Sequence, residues 1–182
     1  YVAEIDGFLV ESPVTWYATE QKWALSPGFD LPIAVGFQRG VGKRCLYCHV
    51  GRISSVGRST QRVQIEESDI SCERCHGPGS LHAERRSSRT EPADQPDFTI
   101  VHPARLSRQL NEAICAQCHL ETAASVSVRG RDFTEFRPGY GIEHFVAHFQ
   151  MNLPGQPLKV AGHVEQLRLS RCYKSDATLS CT

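Results

Sequence analysis

The sequence predicts a mostly α-helical fold with much irregular structure and a small β element near the N-terminus. Three observations lead to this prediction. The pentapeptide Cys-x-x-Cys-His occurs three times, and its spacing places both cysteines and the histidine on one face of a helical turn. Strand-forming residues are concentrated before residue 30. Glycine and proline interrupt many other segments, which favours loops.

The N-terminal element is predicted from residues 7–17, which are rich in β-branched and aromatic side chains and break at Pro13. Residues 22–25 are expected to pair with this strand before the turn at residues 26–28. Trp16 and Trp23 are expected to be packing residues.

The three pentapeptides lie at residues 45–49, 72–76 and 115–119. Gly-Pro-Gly at residues 77–79 is expected to end the second motif helix, and Ser80 to cap a short helix that carries His82. Pro103 suits a first helical position, so a helix is predicted from residue 104 into the third motif.

The C-terminal third is predicted to alternate loops and short helices. Residues 121–140 read as irregular, and residues 142–149 as a short helix with His144 and His148 on one face. Residues 154–159 read as loop and residues 162–172 as helix, with His163 at its start. The chain is expected to form a single domain, with a β-rich segment at 1–40 and a binding region at 41–182.

The pentapeptide is the attachment pattern of c-type haem, in which two thiols bind the porphyrin and the histidine binds the iron. Paired cysteines also build zinc sites or disulfides. Zinc does not require a histidine after the second cysteine, and three pairs leave one over in a four-cysteine scheme. The sequence therefore predicts three c haems, with thioether cysteines and proximal histidines as follows: Cys45, Cys48, Cys72, Cys75, Cys115, Cys118; His49, His76, His119.

Composition fits a haem-centred core. Hydrophobic residues make up 40% of the chain, below the usual 45–50%. Haem macrocycles supply apolar surface, so we expect a compact fold organised around stacked haems. Lys plus Arg equals Asp plus Glu at 20 each, which gives no indication of nucleic-acid binding. The sequence has no run of 18 apolar residues, and covalent haem attachment takes place outside the cytoplasm, so a periplasmic or extracellular location is expected.

The sequence resembles the multihaem cytochromes of the tetrahaem cytochrome c-554 family and their larger bacterial relatives. The strings that carry the resemblance are residues 13–17, 23–30, 72–82, 111–120 and 162–166. The most specific is Cys-x-x-Cys-His-Gly-Pro-Gly-x-x-His at 72–82. The resemblance implies a multihaem cytochrome fold, electron transfer, and axial-ligand roles for His82 and His163.

Both ends of the chain depart from this family pattern. Relatives usually carry a further haem site before the segment that begins here. Residues 179–182 look like the first half of another pentapeptide, beginning at Cys181. The chain is therefore expected to be a fragment of a protein with four or five haems, with a fourth haem if it continues past Cys181. A disulfide between Cys172 and Cys181 is the alternative.

Three bis-histidine haems need three distal histidines, and five histidines lie outside the motifs. Met151 is the only methionine, so at most one haem has His/Met ligation. The distal candidates, in ranked order, are His82, His163, His148, His144 and His102.

The function predicted from this pattern is electron transfer, with no enzymatic activity favoured, because two strong axial ligands block substrate at the iron. Other redox proteins or cytochromes are the expected partners. One alternative is an oxidoreductase that acts on a small nitrogen or sulfur compound at a five-coordinate haem. Another is a subunit of a homo-oligomeric or polymeric conductive assembly.

Overall fold

A computed structural model describes residues 1–30, 33, 36–88, 95–120, 124–151 and 162–181. The predicted loop at 154–159 lies outside these residues. Contacts divide the chain into two compact units, residues 1–70 and 71–182. The expectation of a single domain remains a prediction.

The prediction of a mostly α-helical fold is wrong. The described residues contain about 33% helix and 22% strand, and the strands form four small antiparallel sheets. The strands are β1 (Val2–Ile5), β2 (Phe8–Glu11), β3 (Val14–Tyr17), β4 (Lys22–Leu25), β5 (Arg52–Ser55), β6 (Val63–Glu67), β7 (Ala124–Ser127) and β8 (Val146–Phe149). The helices are α1 (Lys43–His49), α2 (Glu73–His76), α3 (Ser80–Ser87), α4 (Arg108–His119), α5 (His163–Leu169) and α6 (Arg171–Ser175), with 3-10 turns at Pro103–Arg105, Phe133–Glu135 and Ile142–His144.

In the described part of the first unit, three β-hairpins accompany α1. The predicted pairing of 22–25 with the strand at 7–17 is confirmed for the part after Pro13, since β3 pairs β4 with Val14 opposite Leu25. The part before Pro13 forms β2, which pairs with β1 instead. A second hairpin, β1–β2, turns at Asp6 and Gly7, whose φ angles of 52° and 77° suit a two-residue loop matching the strand twist. The third hairpin, β5–β6, packs on α1 through a buried cluster of Leu46, Val50 and Val63.

The second unit combines the other helices with the β7–β8 hairpin. Its apolar cluster joins Ala113 of α4 to Phe136 and Phe145, which meet edge to face with ring centroids 5.7 Å apart. Val164 of α5 is fully buried. Gly77 ends α2 as predicted, with a φ of 73° that favours glycine.

Four local predictions in the second unit are corrected. The segment at 142–149 is a 3-10 turn followed by β8, so His144 and His148 do not share a helical face. Within 121–140, residues 124–127 form β7, the partner of β8. Alternation in β8, where Val146 is buried and Ala147 exposed, suits a strand.

The other two corrections concern helix starts. Ser80 is the first residue of α3 and makes no capping hydrogen bond. The helix predicted from residue 104 is interrupted, because the 3-10 turn at Pro103–Arg105 ends at Leu106. The α4 helix then starts anew after Ser107, whose side chain accepts a hydrogen bond from the Leu110 amide.

None of the helices in the described part of the chain has the length and hydropathy of a membrane span.

Candidate haem sites

The first motif is oriented by the residues between its cysteines. Leu46 and Tyr47 are buried at 3% and 4% exposure, and Leu46 belongs to the cluster that joins α1 to β6. Cys45 and His49 lie on the exposed side of the helix, and Cys48 is half-buried. Burial of one face therefore fixes the direction in which the other face presents two thiols and an imidazole.

The second motif holds its histidine ring through the backbone. Nδ1 of His76 lies 2.9 Å from the carbonyl oxygen of Val101, and the Val101 amide donates to the His76 carbonyl at 3.0 Å. A carbonyl oxygen only accepts, so Nδ1 carries the proton and Nε2 keeps its lone pair. A backbone carbonyl on the far nitrogen is a common orientation device for metal-binding histidines.

The third motif occupies the C-terminal half of α4. Ala113, Ile114 and Ala116 are buried, while Cys115 and Cys118 are half-buried and His119 is exposed as the last helical residue. All three motifs thus end on a histidine at the end of a helix. The predicted helical arrangement of the motifs is confirmed.

The second and third motifs contact each other directly. Nε2 of Gln117 donates to the carbonyl oxygen of Arg74 at 3.0 Å, and these residues hold the same place in their motifs, directly before the second cysteine. Burial raises the pKa of Cys115 to about 11, and the neighbouring thiols of Cys181 and Cys75 add to the increase. The second and third motifs are therefore adjacent within the second unit.

Cys181 lies beside the third motif, where its thiol neighbours that of Cys115. Burial raises the pKa of the Cys181 thiol. None of the eight cysteines, all in the described part of the chain, is in a disulfide, so the alternative bridge between Cys172 and Cys181 is not formed. Among the described residues, no group of three or more His, Cys, Asp or Glu side chains is arranged to hold a metal ion by itself.

The structure brings His163 to the third motif. The rings of His119 and His163 are stacked, with centroids 4.6 Å apart and planes 19° apart. Two imidazoles that held one iron between them would have centroids about 6 Å apart, because each metal–nitrogen bond is about 2 Å long and each ring centre lies about 1 Å beyond its nitrogen. The two rings are therefore neighbours, and they would have to move apart to hold one iron between them.

His82 on α3 is oriented by a carboxylate. Its Nδ1 lies 2.8 Å from Oδ2 of Asp97, whose side chain is only 7% exposed. Hydrogen bonds from the Thr99 hydroxyl and amide lower the pKa of Asp97 well below its usual range, and His82 and Arg85 contribute further. Arg86 also contacts this carboxylate, with its Nε 3.2 Å away. The ionised carboxylate accepts a hydrogen bond from Nδ1, which leaves Nε2 as the ring nitrogen that is not engaged by Asp97.

The remaining distal candidates lie at other positions of the second unit. His102 is exposed and precedes the 3-10 turn at Pro103–Arg105. His144 is exposed at the end of another 3-10 turn, and His148 is half-buried on β8, opposite Ser125. Met151 is exposed. All five distal candidates belong to the second unit, whereas the first unit contains His49 alone among the histidines.

A buried carboxylate lies on the α4 helix, three residues before the first cysteine of the third motif. Glu112 is 1% exposed and accepts hydrogen bonds from Nε of Arg108 at 3.2 Å, Nε of Arg168 at 3.1 Å and the Tyr173 hydroxyl at 2.9 Å. Burial raises the pKa of Tyr173, and its bond to Glu112 raises it further. This carboxylate therefore joins α4 to α5 and α6.

Sequence reasoning did not identify Asp97, Glu112 or Gln117. The sequence did contain a signal for Glu112, because helical spacing places this charged residue one turn before Ala116, on the apolar side of α4. Asp97 has no comparable signal, since it meets His82 across a loop.

Comparisons with known proteins support one family. Residues 33–77, which contain the first two motifs, match the family model described as cytochrome c554 and c-prime. The match spans less than half of the chain. No curated protein matches the chain, and no solved structure matches it. The match supports assignment to a c-type cytochrome family, and such a family implies covalently bound haem and electron transfer.

Proposed function

We propose that the chain is a multihaem electron carrier with three covalently attached c haems. The observation that carries the proposal is the direct contact between the second and third motifs through Gln117 and the Arg74 carbonyl. Two redox groups attached to touching motifs are held close together, and their separation is fixed by the fold. A carrier needs this arrangement and needs no further chemical group at the site.

The residues fit haem c by their donor chemistry. In each motif the two thiols and the imidazole lie on one helical turn, and neither cysteine is in a disulfide. His76 already has the required tautomer, because Nδ1 donates to Val101. When bound, haem supplies an iron that accepts and releases one electron. The motif cysteines and histidines listed from the sequence are the proposed attachment and proximal residues.

The proposed distal ligands begin with His82 and His163. His82 is supported by its bond to Asp97, which directs Nε2 away from the carboxylate. His163 is supported by its contact with His119. Since the rings must separate to share an iron, His163 serves either the third haem after such a movement or a neighbouring haem. His148, His144 and His102 follow in that order. The argument that His144 and His148 share a helical face no longer supports them, because they lie in a 3-10 turn and a strand.

The haem count is tested on purified holoprotein. Alkaline pyridine haemochrome absorbance, divided by protein concentration, is expected to give three haems per chain, one for each motif. Replacing Cys115 and Cys118 by alanine is expected to lower the count by one. Cys172→Ala is the matched control, since Cys172 is exposed and outside the motifs. A count that is unchanged by the double variant contradicts the assignment.

The carrier function is tested by ligand addition. Ferric protein in which every haem is low-spin, and whose absorption and EPR spectra do not change with nitrite or hydroxylamine, supports the carrier. Ferrous protein whose absorption spectrum does not change with carbon monoxide supports it as well. A high-spin fraction that binds these molecules supports the second candidate, a multihaem oxidoreductase acting on a small nitrogen or sulfur compound. That candidate is favoured at the first motif, because the first unit supplies only one histidine, His49.

A periplasmic or extracellular location follows from the proposed chemistry, since the thioether bonds of c haem form outside the cytoplasm. The proposed partners are redox proteins that donate or accept single electrons. Fractionation of cells that produce the holoprotein tests the location, with haem-stained protein expected outside the cytoplasmic fraction.

A further inference from the structure

The α4 and α5 helices are fastened to each other at two points. Glu112 meets Arg168 at one point, and His119 meets His163 at the other. Contacts between 112 and 168 and between 119 and 163 mean that the two helices run antiparallel. At 1.5 Å per residue, the two points are about 10 Å apart along α4. The helices therefore connect the carboxylate to the histidine pair.

Glu112 is almost completely buried, so its carboxylate depends on protein side chains for hydrogen bonds. It is 1% exposed, whereas Arg168 is 45% and Arg108 is 24% exposed. A buried carboxylate without its hydrogen-bond donors is strongly disfavoured. Separating Arg168 from Glu112 therefore costs free energy, and this contact restrains the position of α5 relative to α4.

Two further contacts make the carboxylate a rigid anchor. Arg108 donates from Nη2 to the carbonyl oxygen of Tyr173 at 3.0 Å, and its guanidinium lies 3.3 Å from the centroid of the Tyr173 ring. The Tyr173 hydroxyl in turn donates to Glu112. These bonds fix both carboxylate oxygens, so the position of Arg168 is defined by α4 and α6 together.

We infer that Glu112 is a positioning residue, which, through Arg168, holds α5 in the register that keeps His163 next to the third motif. This inference rests on the proposed role of His163 as a distal haem ligand. It applies to whichever iron His163 binds, because the register of α5 sets the position of the ring in either case. No described residue other than Glu112 hydrogen-bonds the Arg168 guanidinium in the structure.

The test uses holoprotein carrying Arg168→Ala, which removes the link to α5 while leaving Glu112 bonded to Arg108 and Tyr173. We expect an unchanged haem count, loss of one low-spin signal in the ferric EPR spectrum, and a matching high-spin signal. Added imidazole is expected to restore the low-spin signal. Arg168→Lys, which keeps the charge, is expected to restore it in part. Arg171→Ala is the control, since Arg171 is exposed and begins α6.

A double variant shows whether the effect passes through His163. His163→Ala is expected to lose the same low-spin signal, and Arg168→Ala combined with His163→Ala is expected to lose no more than either alone. Additive losses overturn the inference, as does an Arg168→Ala protein that keeps every low-spin signal. Parent protein without covalent haem overturns the proposed function and this inference with it. If the parent and Arg168→Ala proteins both carry haem and have identical spectra, the inference about Glu112 is overturned while the proposed function stands.

Discussion

Leu46 makes the strongest test of how the first motif is held, because it lies between the two cysteines and faces the core. The side chain is 3% exposed and packs with Val50 and Val63. Leu46→Ala removes three carbon atoms from this cluster, which costs about 2.4 kcal/mol in transfer free energy at about 0.8 kcal/mol for each. A residual cavity adds to this value, and Leu→Ala replacements in cores reach about 5 kcal/mol.

The expected loss for Leu46→Ala lies in the lower part of that range, at about 2.5–3.5 kcal/mol. Three of the neighbours, Leu9, Val41 and Ile53, are only partly buried and have room to move into the cavity. A loss of this size is a large fraction of the ordinary stability of a domain, about 5–15 kcal/mol.

The assay is guanidinium unfolding of the holoprotein, followed by far-UV circular dichroism, with the midpoint and slope both fitted. Val56→Ala is the matched control, because Val56 is 53% exposed in the same unit and its replacement is expected to cost less than about 0.5 kcal/mol. A loss below about 1 kcal/mol for Leu46→Ala, or one no larger than the control, refutes the argument that burial of Leu46 orients the motif.

Three other predictions concern the second unit. Asp97→Ala is expected to weaken binding of His82 to iron about 10–100-fold, measured as the cyanide concentration that displaces one distal ligand from the ferric protein. A concentration equal to that of Glu84→Ala, an exposed position on the same helix, contradicts this prediction. Gln117→Leu removes the hydrogen bond to the Arg74 carbonyl and is expected to lower the free energy of unfolding by about 1 kcal/mol. It is also expected to change the magnetic coupling between two haems in the EPR spectrum. Gln109→Leu, at an exposed position of the same helix, is the control and is expected to produce neither effect. Hydrogen bonds from Thr178 lower the pKa of Asp176, so this carboxylate stabilises the fold above its unfolded pKa of 3.8 and loses that contribution as pH falls through its folded pKa. The free energies of unfolding of Asp176→Asn and of the parent protein are expected to differ near neutral pH and to converge in acid. A difference that stays constant across the pH series contradicts this prediction.

The β7–β8 hairpin illustrates a limit of sequence reasoning. His144 and His148 have the i, i+4 spacing of a helical pair, and that spacing favours a helix when it is read alone. In the structure, residues 146–149 pair with residues 124–127, with Ser127 opposite Val146. The partner strand is about 20 residues away, so its pairing competes with the local preference and is not visible within a short window.

By itself, the sequence determined the local chemistry: helical turns that carry two thiols and an imidazole, the hairpin after Pro13 and the sharp end of the second motif helix. These features depend on residues within a few positions of one another, so spacing and turn chemistry are enough. Only the tertiary structure decided which distant side chains meet. It placed His163 on His119, Asp97 on His82 and Arg168 on the buried Glu112. Such contacts depend on how whole elements pack, because the free energy of burying a face is shared by residues far apart in the chain.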